Sequence, residues 1–167
     1  MKKYILSFII LISLLLSCED QIPQNNIPYA PVNFKLMLGS RDNILKNGLA
    51  YKTFTENDKR LDSDRFGYGG LLVVTDYTGS SIYAYDLACP YEGKKNILVE
   101  PSDVGQVRCN ECGSVFITNF GHEIIDQAGR VMLGYSRAES GPAASEKITL
   151  KAYSVRHHQY GEFIILN

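Results

Sequence analysis

Three cysteines fall in two short clusters, Cys89-Pro-Tyr91 and Cys109-Asn-Glu-Cys112, with 17 residues between Tyr91 and Cys109. Each cluster offers a thiol and a second side chain two or three positions on. Two such loops can hold a metal centre between them. A thiolate is a strong ligand for soft and borderline metals. A tyrosine phenol, with an ordinary pKa near 10, must lose its proton before it binds strongly. The candidate ligands are therefore Cys89, Cys109, Cys112 and Tyr91. Glu92, beside Tyr91, and His122, ten residues past Cys112, are the candidates for a fourth group. Three chemistries fit this donor set. One is an iron–sulfur centre with one non-cysteine ligand. Another is a mononuclear zinc ion, which accepts three thiolates with a histidine or carboxylate. The third has no metal and a disulfide between two of the thiols, which leaves one cysteine over.

The elements that must position these loops read as strands. Residues 32–38 alternate apolar and polar side chains, as a half-buried strand does, and residues 50–55 have a similar composition. Residues 71–75, Leu-Leu-Val-Val-Thr, form a short apolar run suited to a buried strand. Residues 81–87 lead directly into Cys89. Short strands over 106–108 and 114–117 flank the second cluster, and 129–133, 148–155 and 162–166 follow. No segment carries a sustained apolar stripe of helical period. Residues 43–47 and 138–146 are expected to form a helical turn at most. Eleven tyrosines and no tryptophan also favour pleated, half-buried surface. The expected fold class is all-β, a small sandwich or barrel with the two cysteine loops at one end.

The motif C-x-Y … C-x-x-C resembles the Rieske iron–sulfur pattern C-x-H … C-x-x-H with both histidine positions changed. Val115-Phe116 after Cys112-Gly113-Ser114 is similar to the strand that follows the family's second cluster loop. Ser140-Gly141-Pro142-Ala143 looks like its third loop, a Gly-Pro segment over the cluster. The resemblance spans roughly residues 68–167. It implies a Rieske-like β domain, a [2Fe-2S] cofactor and a role in electron transfer. By position it implies Cys89 and Cys109 as ligands of one iron, with Tyr91 and Cys112 where the histidines of the other would stand. It implies no enzyme activity of the chain's own. The family's oxygenases carry a separate large catalytic domain, and about 150 residues leave no room for one.

The N-terminal stretch reads as a targeting signal. Lys2 and Lys3 precede an apolar run over residues 4–16, which is short for a membrane span. The run ends in Leu15-Leu16-Ser17-Cys18, which looks like a bacterial lipobox. Residues 1–17 are then a lipoprotein signal peptide and Cys18 the lipidated N-terminus. Residues 18–31, polar and proline-rich, read as a linker, and residues 32–167 as one domain. The expected location is the bacterial cell envelope, with the membrane as a partner through Cys18 and a redox or envelope partner besides.

A formal net charge of −1 with interspersed signs leaves no electrostatic footprint for nucleic acid. No phosphate-cradling glycine loop and no Ser-His-Asp spacing is present. Cys109 and Cys112 are followed by Gly-Ser-Val-Phe-Ile, a turn and strand rather than the helix a thioredoxin-type pair requires. His157 and His158 are adjacent on a strand and face opposite sides, so they do not serve one site. The leading expectation is a lipid-anchored, Rieske-like domain that binds a metal or iron–sulfur centre. The alternative is a metal-free binding or structural module of the envelope that keeps the fold.

Overall fold

The computed structural model describes residues 24–118, 122–125 and 131–167, with 122–125 and 131–135 described as backbone only. The predicted signal peptide and Cys18 lie outside the described residues. The fold is all-β, as expected. Seven strands form one antiparallel sheet that curls into a nearly closed barrel. They are β1 (Val32–Met37), β2 (Tyr51–Phe54), β3 (Arg65–Phe66), β4 (Leu71–Thr75), β5 (Ile82–Asp86), β12 (Ala152–Gln159) and β13 (Glu162–Leu166). Their order across the sheet is β2-β4-β5-β12-β13-β1-β3. A second sheet has the order β11-β8-β7-β6, from β6 (Val99–Asp103), β7 (Gln106–Cys109), β8 (Val115–Ile117) and β11 (Ala138–Ser140). A hairpin of β9 (His122–Ile125) and β10 (Val131–Tyr135) stands as a third, two-stranded sheet. The short helix α1 (Pro142–Ser145) follows β11. Among the described residues no helix is long and apolar enough to cross a membrane.

Strand β4 explains how the layers meet. Its side chains alternate between faces. Leu71 and Val73 enter a core inside the large sheet with Phe34, Leu36, Phe54, Tyr153 and Ile165. Leu72 and Val74 enter a second core with Tyr85, Leu87, Val99, Val107, Phe116 and Leu150, between the large sheet and the small one. The strand is therefore buried on both faces, which is why its sequence is an unbroken apolar run. Cys89 and Cys109 belong to the second core. The first core is closed at one end by Asp42, a buried carboxylate that accepts from Arg60 at 2.7 and 2.9 Å, from Lys52 at 2.8 Å and from the Met37 N–H at 2.8 Å.

Three sequence expectations are corrected in detail. The strand expected over 148–155 begins at Ala152. Before it, the Ile148 N–H donates to Ala143 and the Leu150 N–H to Ser136, so residues 148–150 pair with α1 and with the segment that leads into β11 instead of the barrel. Four strands that the pattern did not announce are present. β3 spans two residues and β11 three. β6 reads Val-Glu-Pro-Ser-Asp, with a proline that a strand tolerates only at a sheet edge, where β6 lies. β9 holds His122 opposite Tyr135. Finally, residues 24–31 of the expected linker run along the domain. The Asn26 N–H donates to the Pro90 carbonyl at 3.0 Å, the Thr149 N–H donates to the Gln24 carbonyl at 2.9 Å, and Ile27 is buried.

Candidate metal centre

The β6–β7 hairpin brings the two cysteine loops together. The first loop leaves β5 at Cys89 and returns through Leu98, which bridges to Ala88. The chain enters β6, turns at Gly105 and comes back along β7, with Val99 opposite Cys109. The start of β6 and the end of β7 are thus neighbours, so the loop preceding one lies beside the loop following the other. The hairpin register, set by a tight turn at its far end, fixes the juxtaposition.

Each loop is a tight turn. The Cys89 N–H donates to Ile97 at 2.8 Å, and the Cys109 N–H donates to Ser114 at 2.9 Å. Glycine stands four residues after each cysteine, at Gly93 and Gly113, with φ of 64° and 73°. This left-handed conformation suits glycine. Both glycine N–H groups donate back to the cysteine carbonyl, at 3.0 and 2.9 Å. The turns aim three thiols at one point. The sulfurs of Cys89, Cys109 and Cys112 all lie within 4.8 Å of one another, and the Cys89 and Cys112 sulfurs are 3.8 Å apart. All three are free thiols. Two thiolates on one tetrahedral ion with metal–sulfur bonds of about 2.3 Å stand about 3.8 Å apart. The donor set and its spacing therefore suit a single thiophilic metal ion.

The surroundings treat the thiols differently. Cys89 and Cys109 are fully buried, while Cys112 is half-buried. Burial pushes the Cys89 thiol well up, against hydrogen bonds from the Glu92 and Tyr91 backbone. Burial also acts on Cys112. There hydrogen bonds from the Ser114 hydroxyl and backbone, then from the Cys109 and Cys89 thiols, outweigh it and hold the group below the ordinary cysteine value.

A buried carboxylate fixes the start of the first loop. Asp86 accepts from the N–H groups of Tyr68 at 2.7 Å, Gly69 at 3.0 Å and Ala88 at 2.8 Å, and from the Tyr153 hydroxyl at 2.5 Å. Ala88 immediately precedes Cys89, so the network that ties β5 to β12 also sets where the first thiol begins. Asn26 braces the same loop, its side-chain amide donating to the Tyr91 carbonyl at 3.2 Å.

The other sequence candidates are placed as follows. Tyr91 packs, partly buried, against the second core. Glu92 is paired with Lys94 at 3.5 Å. The His122 side chain lies outside the described residues. His157 and His158 are exposed on β12, and His157 sets its ring edge-on to Phe163 at 5.2 Å. Sequence reasoning missed Asp86, Ser114 and Asn26 as supports of the site. Asp86 carried a signal, a lone carboxylate closing an otherwise apolar strand three residues before a candidate ligand. Comparison with family models, with curated proteins and with solved structures finds no match for this chain.

Proposed function

We propose that this domain holds a single metal ion through the thiolates of Cys89, Cys109 and Cys112, and that Cys18 anchors it to the membrane of a bacterial envelope by a lipid. The observation that carries the reading is the convergence of three free sulfurs within 4.8 Å, one pair at the tetrahedral spacing. The Rieske-like assignment by motif divides these thiols between two irons, Cys89 and Cys109 on one and Cys112 on the other. Ligands of opposite irons in a binuclear cluster stand farther apart than ligands of one ion. The spacing therefore favours one ion over a [2Fe-2S] cluster. A sulfur-rich tetrahedral site takes zinc or iron. Zinc would clamp the two loops. Iron would make the domain a one-electron carrier, and the partial exposure of Cys112 supports that role by giving electrons a route out.

The test is metal analysis and visible absorption on protein prepared without oxygen. The expected result is one metal per chain. Each single Cys→Ser change should weaken binding by more than about 100-fold, beyond the 10- to 100-fold typical of groups that only support ligands. A colourless zinc protein selects the clamp and a coloured iron protein the carrier. Protein that takes up neither metal while all three thiols stay reduced overturns the reading and leaves the metal-free module.

A further inference from the structure

We infer that Glu92 supplies the fourth ligand, so that the site takes a divalent ion as three thiolates and one carboxylate; this rests on the metal-site reading above. The observation is a repeat in the backbone. Cys89-Pro-Tyr-Glu-Gly93 and Cys109-Asn-Glu-Cys-Gly113 form the same turn twice. In both, the cysteine N–H donates to a carbonyl of the returning chain, the glycine four residues on has positive φ, and its N–H closes on the cysteine carbonyl. The two loops carry one ligand each at the first position. In the second loop the position three residues on is Cys112, which joins the cluster. In the first loop that position is Glu92. The two turns together thus offer four ligand positions, and three of them hold thiols.

The position two residues on is excluded by the same equivalence. In the second loop it is Glu111, whose side chain is exposed; the carboxylates of Glu111 and Glu92 both stand outside the three-thiol cluster, so the loop position is what separates them. In the first loop it is Tyr91, the residue that the motif alone places at the metal. Carboxylate oxygen is an ordinary zinc ligand, whereas phenol must first be deprotonated. Glu92 is also suitably free. Its side chain is only 21% exposed, and its salt-bridge partner among the described residues is Lys94, which is 64% exposed and 3.5 Å away. A pair at 3.5 Å whose lysine is largely solvated is only weakly held, so the carboxylate can turn from Lys94 to a bound ion. Binding in this form releases Lys94 to solvent.

The experiment titrates Co²⁺, whose absorption reports ligand type and geometry, into the full reduced chain and its variants, with Zn²⁺ competition for affinity. Glu92→Gln should bind at least tenfold more weakly than wild type, with an altered cobalt spectrum. Glu92→Cys should bind at least as tightly as wild type and give the spectrum of four thiolates. Glu111→Gln should match wild type. If Glu92→Gln keeps the wild-type affinity and spectrum while Cys109→Ser loses binding, the three-thiolate site stands and Glu92 is removed from it. A loss with His122→Ala or Tyr91→Phe, but not with Glu92→Gln, overturns the inference in the same way. Cys109→Ser binding as well as wild type overturns both this inference and the reading it rests on.

Discussion

The backbone N–H of Ala143 donates to the Ser114 hydroxyl at 3.1 Å, and that hydroxyl lies 3.3 Å from the Cys112 sulfur. With Ala143 on the oxygen, the hydroxyl proton is free to turn to the sulfur once the thiol ionises. The Gly-Pro segment at α1 thus reaches the site through one serine. In reduced, metal-free protein Cys112 should therefore be the first thiol alkylated, since it is the least buried and is held below its ordinary pKa. Ser114→Ala should slow that labelling at neutral pH. Peptide mapping by mass spectrometry checks both, and first labelling at Cys89 or Cys109 contradicts the assignment.

Two glycines near the site separate backbone strain from collision. Gly113 has φ of 73° and open space where a Cβ would stand. Gly113→Ala should cost about 1–2 kcal/mol, the left-handed penalty alone. Gly141 has φ of 80°, and a Cβ there would meet the Ser114 Cα at 2.6 Å. Gly141→Ala should cost clearly more, about 3 kcal/mol or above. Urea titration measures both, and equal losses would show that Ser114 yields freely.

Asp86 is the buried acceptor for three backbone N–H groups and one hydroxyl. Asp86→Ala strands all four donors and should cost about 3 kcal/mol or more. The corresponding fall in melting temperature is roughly 10 °C for a domain of this size. Tyr153→Phe removes only one donor and should cost about 1 kcal/mol. A metal-affinity loss in Asp86→Ala should accompany the stability loss, because Ala88 and Cys89 are adjacent.

Asp42 makes stability depend on acid. Burial raises its carboxyl, but hydrogen bonds from Arg60, Lys52 and the Met37 N–H, with the Arg60 charge, outweigh burial and hold it below 3.8, the value for the unfolded chain. The unfolded chain then binds the proton more readily, so stability rises with pH across this window. The contribution is present in full above about pH 4 and is lost as pH falls through the lower folded value. Asp42→Asn should cost about 2–3 kcal/mol at pH 7, below the range for fully enclosed pairs because Lys52 reaches solvent. The difference from wild type should shrink toward pH 2. A difference that stays constant from pH 7 to pH 2 would contradict the role given to the carboxylate.

The strands with strong pattern were legible. β4, β5 and β13 were predicted within a residue or two, because alternation or an unbroken apolar run reports burial directly. β6 was not, since an edge strand needs no apolar alternation and can carry Pro101. The cysteines were legible by type and spacing. Their convergence was expected from that spacing, and the sulfurs do meet within 4.8 Å; its structural cause was not legible, because it lies in the register of the β6–β7 hairpin, which pairs Val99 with Cys109 across ten residues. The equal Cys-to-Gly spacing of the two loops was present in the sequence. Its meaning emerged only when the turns proved to share their hydrogen bonds. Ser114 and Asp86 act through partners 29 and 67 residues away, Ala143 and Tyr153, and no local pattern reports such contacts.

The hold of Asn26 on the first loop sets the length of a leash. Asn26 lies eight positions after Cys18, and eight residue steps reach at most about 28 Å when fully extended. On the proposed lipid anchor, Asn26 and the loop it braces therefore stay within about 28 Å of the lipidated residue. A pull on the leash that passes the Gln24–Thr149 hydrogen bond would reach, through Asn26, the Pro90 and Tyr91 carbonyls within the loop that carries Cys89, so the anchor and the metal would feel each other mechanically.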